Sequence, residues 1–367
     1  MNYANHLIQY KKRILISKMR FQRRYLFVCS AIMCLQQISC LPYAPKSITI
    51  LHKVLDSAGG LMNKRFFSLI SFVLIVVFAP TFSFGASHGF SKWWEPKELE
   101  VFRKAYPDVE FTSSYDKSEK DWLITVSVKD EKLPVAREAQ LYWCESRFLP
   151  KEKRNEKEHY RPMLYKIATE IPNPDDFTEK QIERIKNVTS TENRANGPID
   201  PPFLFDIIYD VADRVSTESH IKKVVFFGGW SVNVHEKIEK PLLRASERIM
   251  ALERTAEIDE FFKSLNRTDG FSWRTVRDTQ SRSFHSRGLA IDILPRGYYQ
   301  KIIYWGWQKQ LDPEGWWKTP ISKRWMPPKE VIDIFCEEGF VWGGRWIVWD
   351  NMHFEYHPEL VIYSAEK

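Results

Sequence analysis

Two short segments of the 367-residue chain hold residues that could do chemistry together. The first runs Ser283-Phe284-His285-Ser286-Arg287-Gly288-Leu289-Ala290-Ile291-Asp292. The second runs Trp342-Gly343-Gly344-Arg345-Trp346 and continues to Asp350-Asn351-Met352-His353-Phe354-Glu355. His285, Asp292 and His353 form a set of two imidazoles and one carboxylate, which suits a hydrolytic zinc that keeps its fourth position for water. Asp292 lies in the apolar run Leu289–Leu294. An unpaired carboxylate would be costly to bury there, and coordination of a cation would remove that cost. Gly288 and Ala290 are small, as a close approach of backbone to a metal site requires.

A metal site becomes a hydrolase only with a base beside the attacking water. Asp350 precedes His353 by three residues, so a short turn into the strand of His353 would bring it to the same centre. There it would take a proton from water and pass it to the leaving amine. Arg274, on the strand-like run Trp273–Val276 with Arg277 and Arg282 behind it, is the first choice for steadying an oxyanion. Other histidines read as structural. His235-Glu236 begins like a thermolysin-type helix motif, but residue 239 is Glu, which excludes that class. Glu355 and His357 follow the last ligand and either pack and pair internally or touch substrate.

These residues need a scaffold of short strands and helices. Lys97–Tyr106 reads as a helix, and Val109–Ser114 with Trp122–Val128 as a hairpin around a polar turn. Lys151–His159 is a solvated charged loop, and Phe177–Val188 has helical spacing. Ser190–Pro202, rich in Asn, Thr, Gly and Pro, reads as a linker, and Phe203–Val215 is helical again. From residue 221, Val224–Phe227 is a strand closed by Gly228-Gly229. Ile238, Leu242, Ala245, Ile249 and Leu252 mark one face of a helix. Leu289–Leu294, Phe340–Val341 and His353–Tyr356 read as strands, and a helix begins at Pro327-Pro328 and stops at Gly339. The expected fold is α+β: a C-terminal domain, 221–363, on a small antiparallel sheet with flanking helices, preceded by an α+β region, 87–220, of unknown role.

Ser283-x-His285-x-x-Gly288-x-Ala290-x-Asp292 followed by Asp350-x-x-His353-Phe354-Glu355 resembles the two motifs of the VanY-type D-alanyl-D-alanine carboxypeptidases, the M15 zinc peptidases, over about residues 221–360. The resemblance implies a zinc hydrolase of peptidoglycan stem peptides. It implies metal ligation by His285, Asp292 and His353, base work by Asp350 and a supporting role for Ser283. Asp350 stands where many members have Glu, and with Trp342-Gly343-Gly344 this is more similar to the endolysin-like branch that cuts L-alanyl-D-glutamate bonds. Arg345 departs from that branch, which often has Asp there. A catalytically silent wall-binding protein is a further reading, disfavoured by the intact Asp350. Nine of the 14 tryptophans lie from Trp273 onward. Trp349 among them either faces sugar or substrate or supports the core.

The formal charge of +7 is not evidence of a nucleic-acid partner. Nine Lys/Arg against Asp56 in residues 1–61, with Lys64 and Arg65 in 62–86, account for +10 and leave −3 for 87–367. Residues 62–86 have a basic start, the apolar run Phe66–Ala79 and small residues at Ser83, Gly85 and Ala86, the layout of a secretory signal. That run is shorter than the roughly 20 residues needed to span a bilayer. Membrane contact is therefore expected only through this signal, cleaved or retained as an anchor. Export to the periplasm or cell envelope follows. Translation from Met62 would make residues 1–61 an over-extended start. Cys144 and Cys336 are either two thiols or one disulfide, which export would permit.

Overall fold

The computed structural model describes residues 95–129 and 136–366, so the leader expected at 62–86 and the segment before it lie outside the described residues. Within the unit Ser87–Lys367, helix α1 (Leu99–Ala105) buries Leu99, Val101 and Phe102. The expected hairpin is present as β1 (Val109–Asp116) and β2 (Asp121–Val128), antiparallel from Val109↔Val128 to Asp116↔Asp121. Asp116 shapes its turn by accepting the N–H groups of Ser118 and Glu119 on one carboxylate oxygen, as Asp does in Asx turns. β3 (Arg137–Tyr142) pairs with β2. Phe111, Ile124, Val126 and Leu141 join Phe102 of α1 in the core. The charged run Lys151–His159 is a 3-10 helix with no buried residue.

The stretch read as a linker, Ser190–Pro202, instead contains a helix. After α2 (Glu179–Val188), capped by Thr178, comes α3 (Thr191–Asn196), where Ser190 accepts the Asn193 N–H. The polar residues that suggest a loop act here as N-caps. Helical periodicity over 203–215 likewise yields two helices rather than one, α4 (Phe203–Tyr209) and α5 (Arg214–Ser219). The break falls at Asp210, whose φ of 56° ends α4.

β4 (Ile221–Phe226) and β5 (Trp230–His235) form a hairpin through Gly228-Gly229. α6 (Glu239–Met250) buries Leu242, Ala245 and Ile249 as its periodicity predicts, and α7 (Ala256–Ser264) follows. The sheet beneath the motifs takes strands from four places: β6 (Leu265–Asp269), β7 (Ala290–Pro295), β8 (Phe340–Trp342) and β9 (His353–Tyr356). Their order is β6-β7-β9-β8, antiparallel throughout. Helices α8 (Trp305–Leu311) and α9 (Lys329–Glu337) lie between β7 and β8, and α10 (Pro358–Ala365) follows β9. The fold is thus α+β on small antiparallel sheets. One expected strand is absent: over Trp273–Val276 only Thr275 bridges Arg282. The edge position belongs to β6, where Leu265 alone is buried.

One apolar cluster runs through the unit, joining Leu99, Phe102, Ile124 and Leu204 to Val224, Ile291, Phe335 and Phe354. Residues from 87–220 and from 221–363 therefore share a core. Phe335 of α9 is fully buried in it, with its ring 4.5 Å from that of Phe354 and 5.5 Å from that of Phe340. Phe335→Ala should destabilise the protein by about 3–5 kcal/mol through lost burial and the cavity left behind, read as a lowered denaturant midpoint. Cys144 and Cys336 are free thiols. Among the described residues no helix is long and apolar enough to cross a membrane.

Candidate metal centre

Asp292 and His353 are cross-strand partners on β7 and β9, and Ala290 is the partner of Glu355 two residues along. Because side chains alternate across a strand, Asp292, His353, Ala290 and Glu355 share one face. The small Ala290 leaves room opposite Glu355. His285 arrives from outside the sheet, on the 3-10 turn Phe284–Arg287. Ser283 caps that turn: its Oγ accepts the His285 N–H at 3.3 Å, and its own N–H donates to the Arg274 carbonyl at 3.2 Å. Gly288 ends the turn at φ +68°, and a Cβ there would lie 2.7 Å from the His235 nitrogen. A residue with a side chain would be both strained and obstructed at this point.

These elements bring three donor atoms into a small triangle. His285 Nε2 lies 3.2 Å from His353 Nδ1 and 3.2 Å from Asp292 Oδ1, and His353 Nδ1 lies 2.7 Å from the same oxygen. A tetrahedral zinc with bonds of about 2.0–2.1 Å spaces its donors by roughly 3.3 Å. His285, Asp292 and His353 are all buried and form a group able to hold a metal ion.

The outer partners of the two histidines fix which nitrogen faces the centre. His285 Nδ1 is 2.7 Å from the Gly270 carbonyl, which can only accept, so Nδ1 carries the proton and Nε2 offers its lone pair inward. His353 Nε2 is 2.9 Å from Glu355 Oε1, which leaves Nδ1 to face inward. Hydrogen bonds of this kind set ligand tautomer and orientation in metal sites. The electrostatics agree. Burial opposes the charged form of His353, yet hydrogen bonds to Asp292 and Glu355 outweigh it and push its pKa well above the usual range. Burial would raise the Asp292 carboxyl, but the two imidazoles hold it far below the ordinary carboxylate value. A donor set so strongly biased towards a shared positive charge is fitted to a dication.

Asp350 stands beside the triangle. Its N–H donates to the Gly343 carbonyl at 3.0 Å, and its own carbonyl accepts the His353 N–H at 3.3 Å. A Cβ on Gly343 would fall 2.7 Å from the Asp350 carbonyl oxygen, so the Trp342-Gly343 turn can pass this closely only with glycine. Asp350 Oδ1 is buried without a hydrogen-bond partner. Burial chiefly raises this carboxyl to about 7, with Asp292 and Glu355 adding to the effect and His353 opposing it. A buried carboxylate with a free oxygen and a near-neutral pKa is matched to moving a proton at neutral pH.

The remaining candidates are placed less directly. Arg274 is exposed, on a loop rather than a strand. Its charge is felt at Tyr304, together with those of Arg194 and Arg277. Tyr304 bridges Asp350 along the backbone. Its phenol is raised first by burial and then by Asp350. Trp349 faces inward at 1% exposure, in a cluster with Trp305, Trp316, Trp317 and Ile185, and Arg324 lies 4.5 Å over its ring. It supports the site from within and offers no face to a sugar. Trp346, at the end of the Trp342–Trp346 segment, has its ring 5.7 Å from that of His353. Tyr304 and Arg194 lie in no motif and reach the site only through folding. His235 donates its Nε2–H to the Tyr209 carbonyl, 2.7 Å away, and burial lowers it to about 4, in keeping with a structural role.

Residues 277–356 match a family model described as D-alanyl-D-alanine carboxypeptidase, and residues 98–165 match a domain of unknown function. No curated protein and no solved structure matches the chain. The first match takes in His285, Asp292, Asp350 and His353 and stops short of Arg274. Over residues 277–356, and with the metal-binding motifs inside that span, the chain is similar to the M15 peptidases.

Proposed function

We propose that the protein is an exported zinc peptidase that hydrolyses peptidoglycan stem peptides as a D-alanyl-D-alanine carboxypeptidase. The observation that carries this reading is the pairing of a three-donor triangle with Asp350, whose buried Oδ1 has no partner of its own. His285, Asp292 and His353 would hold the ion, and zinc supplies Lewis acidity to the scissile carbonyl and the attacking water. Asp350 takes the proton of that water at Oδ1 and returns it to the leaving amine. Trp346 and Tyr304 border the reacting groups. Arg274, with Arg277 and Arg194, supplies positive charge around Tyr304, suited to an oxyanion or a substrate carboxylate. Export rests on the signal-like residues 62–86.

A second reading has a specific observation behind it. Asp350 in place of Glu, together with Trp342-Gly343-Gly344, favours cleavage between L-alanine and D-glutamate. Mass spectrometry of muropeptides incubated with the zinc-loaded protein separates the two. Loss of a terminal D-alanine is expected for the carboxypeptidase, and a cut next to L-alanine would assign the endopeptidase. A protein that holds zinc and leaves every muropeptide intact would be a wall-binding protein, and the enzymatic reading would fall.

A further inference from the structure

A file of buried polar side chains leads from His353 away from the metal position. Glu355 Oε1 lies 2.9 Å from His353 Nε2, and Glu355 Oε2 lies 3.2 Å from His357 Nε2. His357 Nδ1 is 2.6 Å from Glu359 Oε1, and Glu359 Oε2 accepts the Tyr106 hydroxyl at 2.6 Å. Tyr106 directly follows α1 and lies 253 residues from Glu359, inside the segment matched to the domain of unknown function. Tyr106, His357 and Glu359 are all buried, Glu359 completely.

Donor and acceptor roles along this file determine one another. A carboxylate only accepts, so Tyr106 donates to Glu359, and His357 donates from both nitrogens, to Glu359 and to Glu355. The other oxygen of Glu355 then accepts the Nε2–H of His353, which leaves the Nδ1 lone pair turned towards the metal position shared with Asp292 and His285. Phe284 packs its ring 4.4 Å from that of His357 and holds it in line. Two carboxylates, one of them fully buried, bridged by an imidazolium are a poor means of gaining stability, since apolar side chains of similar volume commonly serve as well or better. Orientation of a metal ligand is what such a file can provide and apolar packing cannot.

We propose that Tyr106, Glu359 and His357 are positioning residues for the metal ligand His353, so that the segment of unknown function serves the metal centre through Tyr106. The proposal rests on the zinc reading of the triangle. Removing the Tyr106 hydroxyl leaves Glu359 Oε2 without its donor in a water-free position. His357 and Glu355 then lose their fixed arrangement, and the ring of His353 is no longer held with Nδ1 inward.

The test is zinc affinity of the full chain by competition with a chromogenic chelator at pH 7, with folding followed by circular dichroism. Tyr106→Phe and Glu359→Gln should weaken zinc binding by about 10- to 100-fold while the metal-free proteins keep wild-type spectra. Tyr142→Phe is the control. It removes another phenol that donates to a carboxylate, that of Asp116 at 2.8 Å, and should leave zinc affinity unchanged. A folded Tyr106→Phe protein with wild-type affinity overturns the proposal. So does failure of both variants to fold, which would make the file a structural element alone. A wild-type chain that takes no zinc would defeat the metal reading instead.

Discussion

Asp350→Asn is expected to reduce hydrolysis by about 10²- to 10⁴-fold, the usual contribution of a positioned general base, while zinc content stays at the wild-type level. The amide keeps the shape of the side chain and its place against Gly343 but cannot accept a proton at Oδ1. The same change has an opposite effect on stability that can be measured without substrate. In the metal-free protein burial raises Asp350 to about 7 from 3.8, so between these values the folded state binds more protons than the unfolded one. Stability therefore falls as pH rises through that window. At about 1.4 kcal/mol per unit, the penalty has an upper bound of roughly 4 kcal/mol above pH 7. Asp350→Asn should thus raise the melting temperature of metal-free protein at pH 8 and leave it nearly unchanged at pH 4. A difference independent of pH would contradict the burial argument, and substantial residual hydrolysis would remove Asp350 from the role of base.

Asp292→Asn should have the other large effect, on the metal itself. Asp292 is the only charged oxygen in the triangle, and its Oδ1 is within 3.2 Å of both imidazole donors. A neutral amide gives up the charge attraction and can present an N–H to the two lone pairs. Zinc of about one per chain in the wild type should fall to background after dialysis, and hydrolysis with it. Binding by the wild type should also weaken as pH falls, because the proton held on His353 by Asp292 and Glu355 must leave before the metal enters. Zinc content by atomic absorption, with melting curves taken with and without added zinc, checks both statements. An Asp292→Asn protein that keeps its zinc would mean that the ion sits elsewhere.

How much of this was legible in the sequence depended on whether the signal was local. The three ligands and Asp350 stand in two short motifs, and the strands that carry them have apolar runs or alternation, so ligands and strands could be read together. β6 could not, because an edge strand such as Leu265–Asp269 pairs through its backbone and buries only Leu265. Trp273–Val276 has the composition of a strand, yet that segment instead wraps the His285 turn, offering the Arg274 carbonyl to Ser283. Ser190–Pro202 has the composition of a loop yet contains α3, because Ser serves loops and helix caps alike. Tyr304, Arg194 and Tyr106 gave no signal at all. They join the site across long stretches of chain, and no single-sequence pattern encodes such a meeting.

The pairing of Asp292 with His353 has a consequence for how the protein can change. Adding or removing one residue within β7 or β9 would turn one ligand to the opposite face, so neither strand can absorb a change of length. The situation is reversed at the exposed residues 312–314, which carry no ligand and belong to no strand. Lengthening an existing loop costs little, about 0.6 kcal/mol for each doubling. Insertions are therefore tolerated there, and the chain can grow at that point while the candidate metal centre stays as it is.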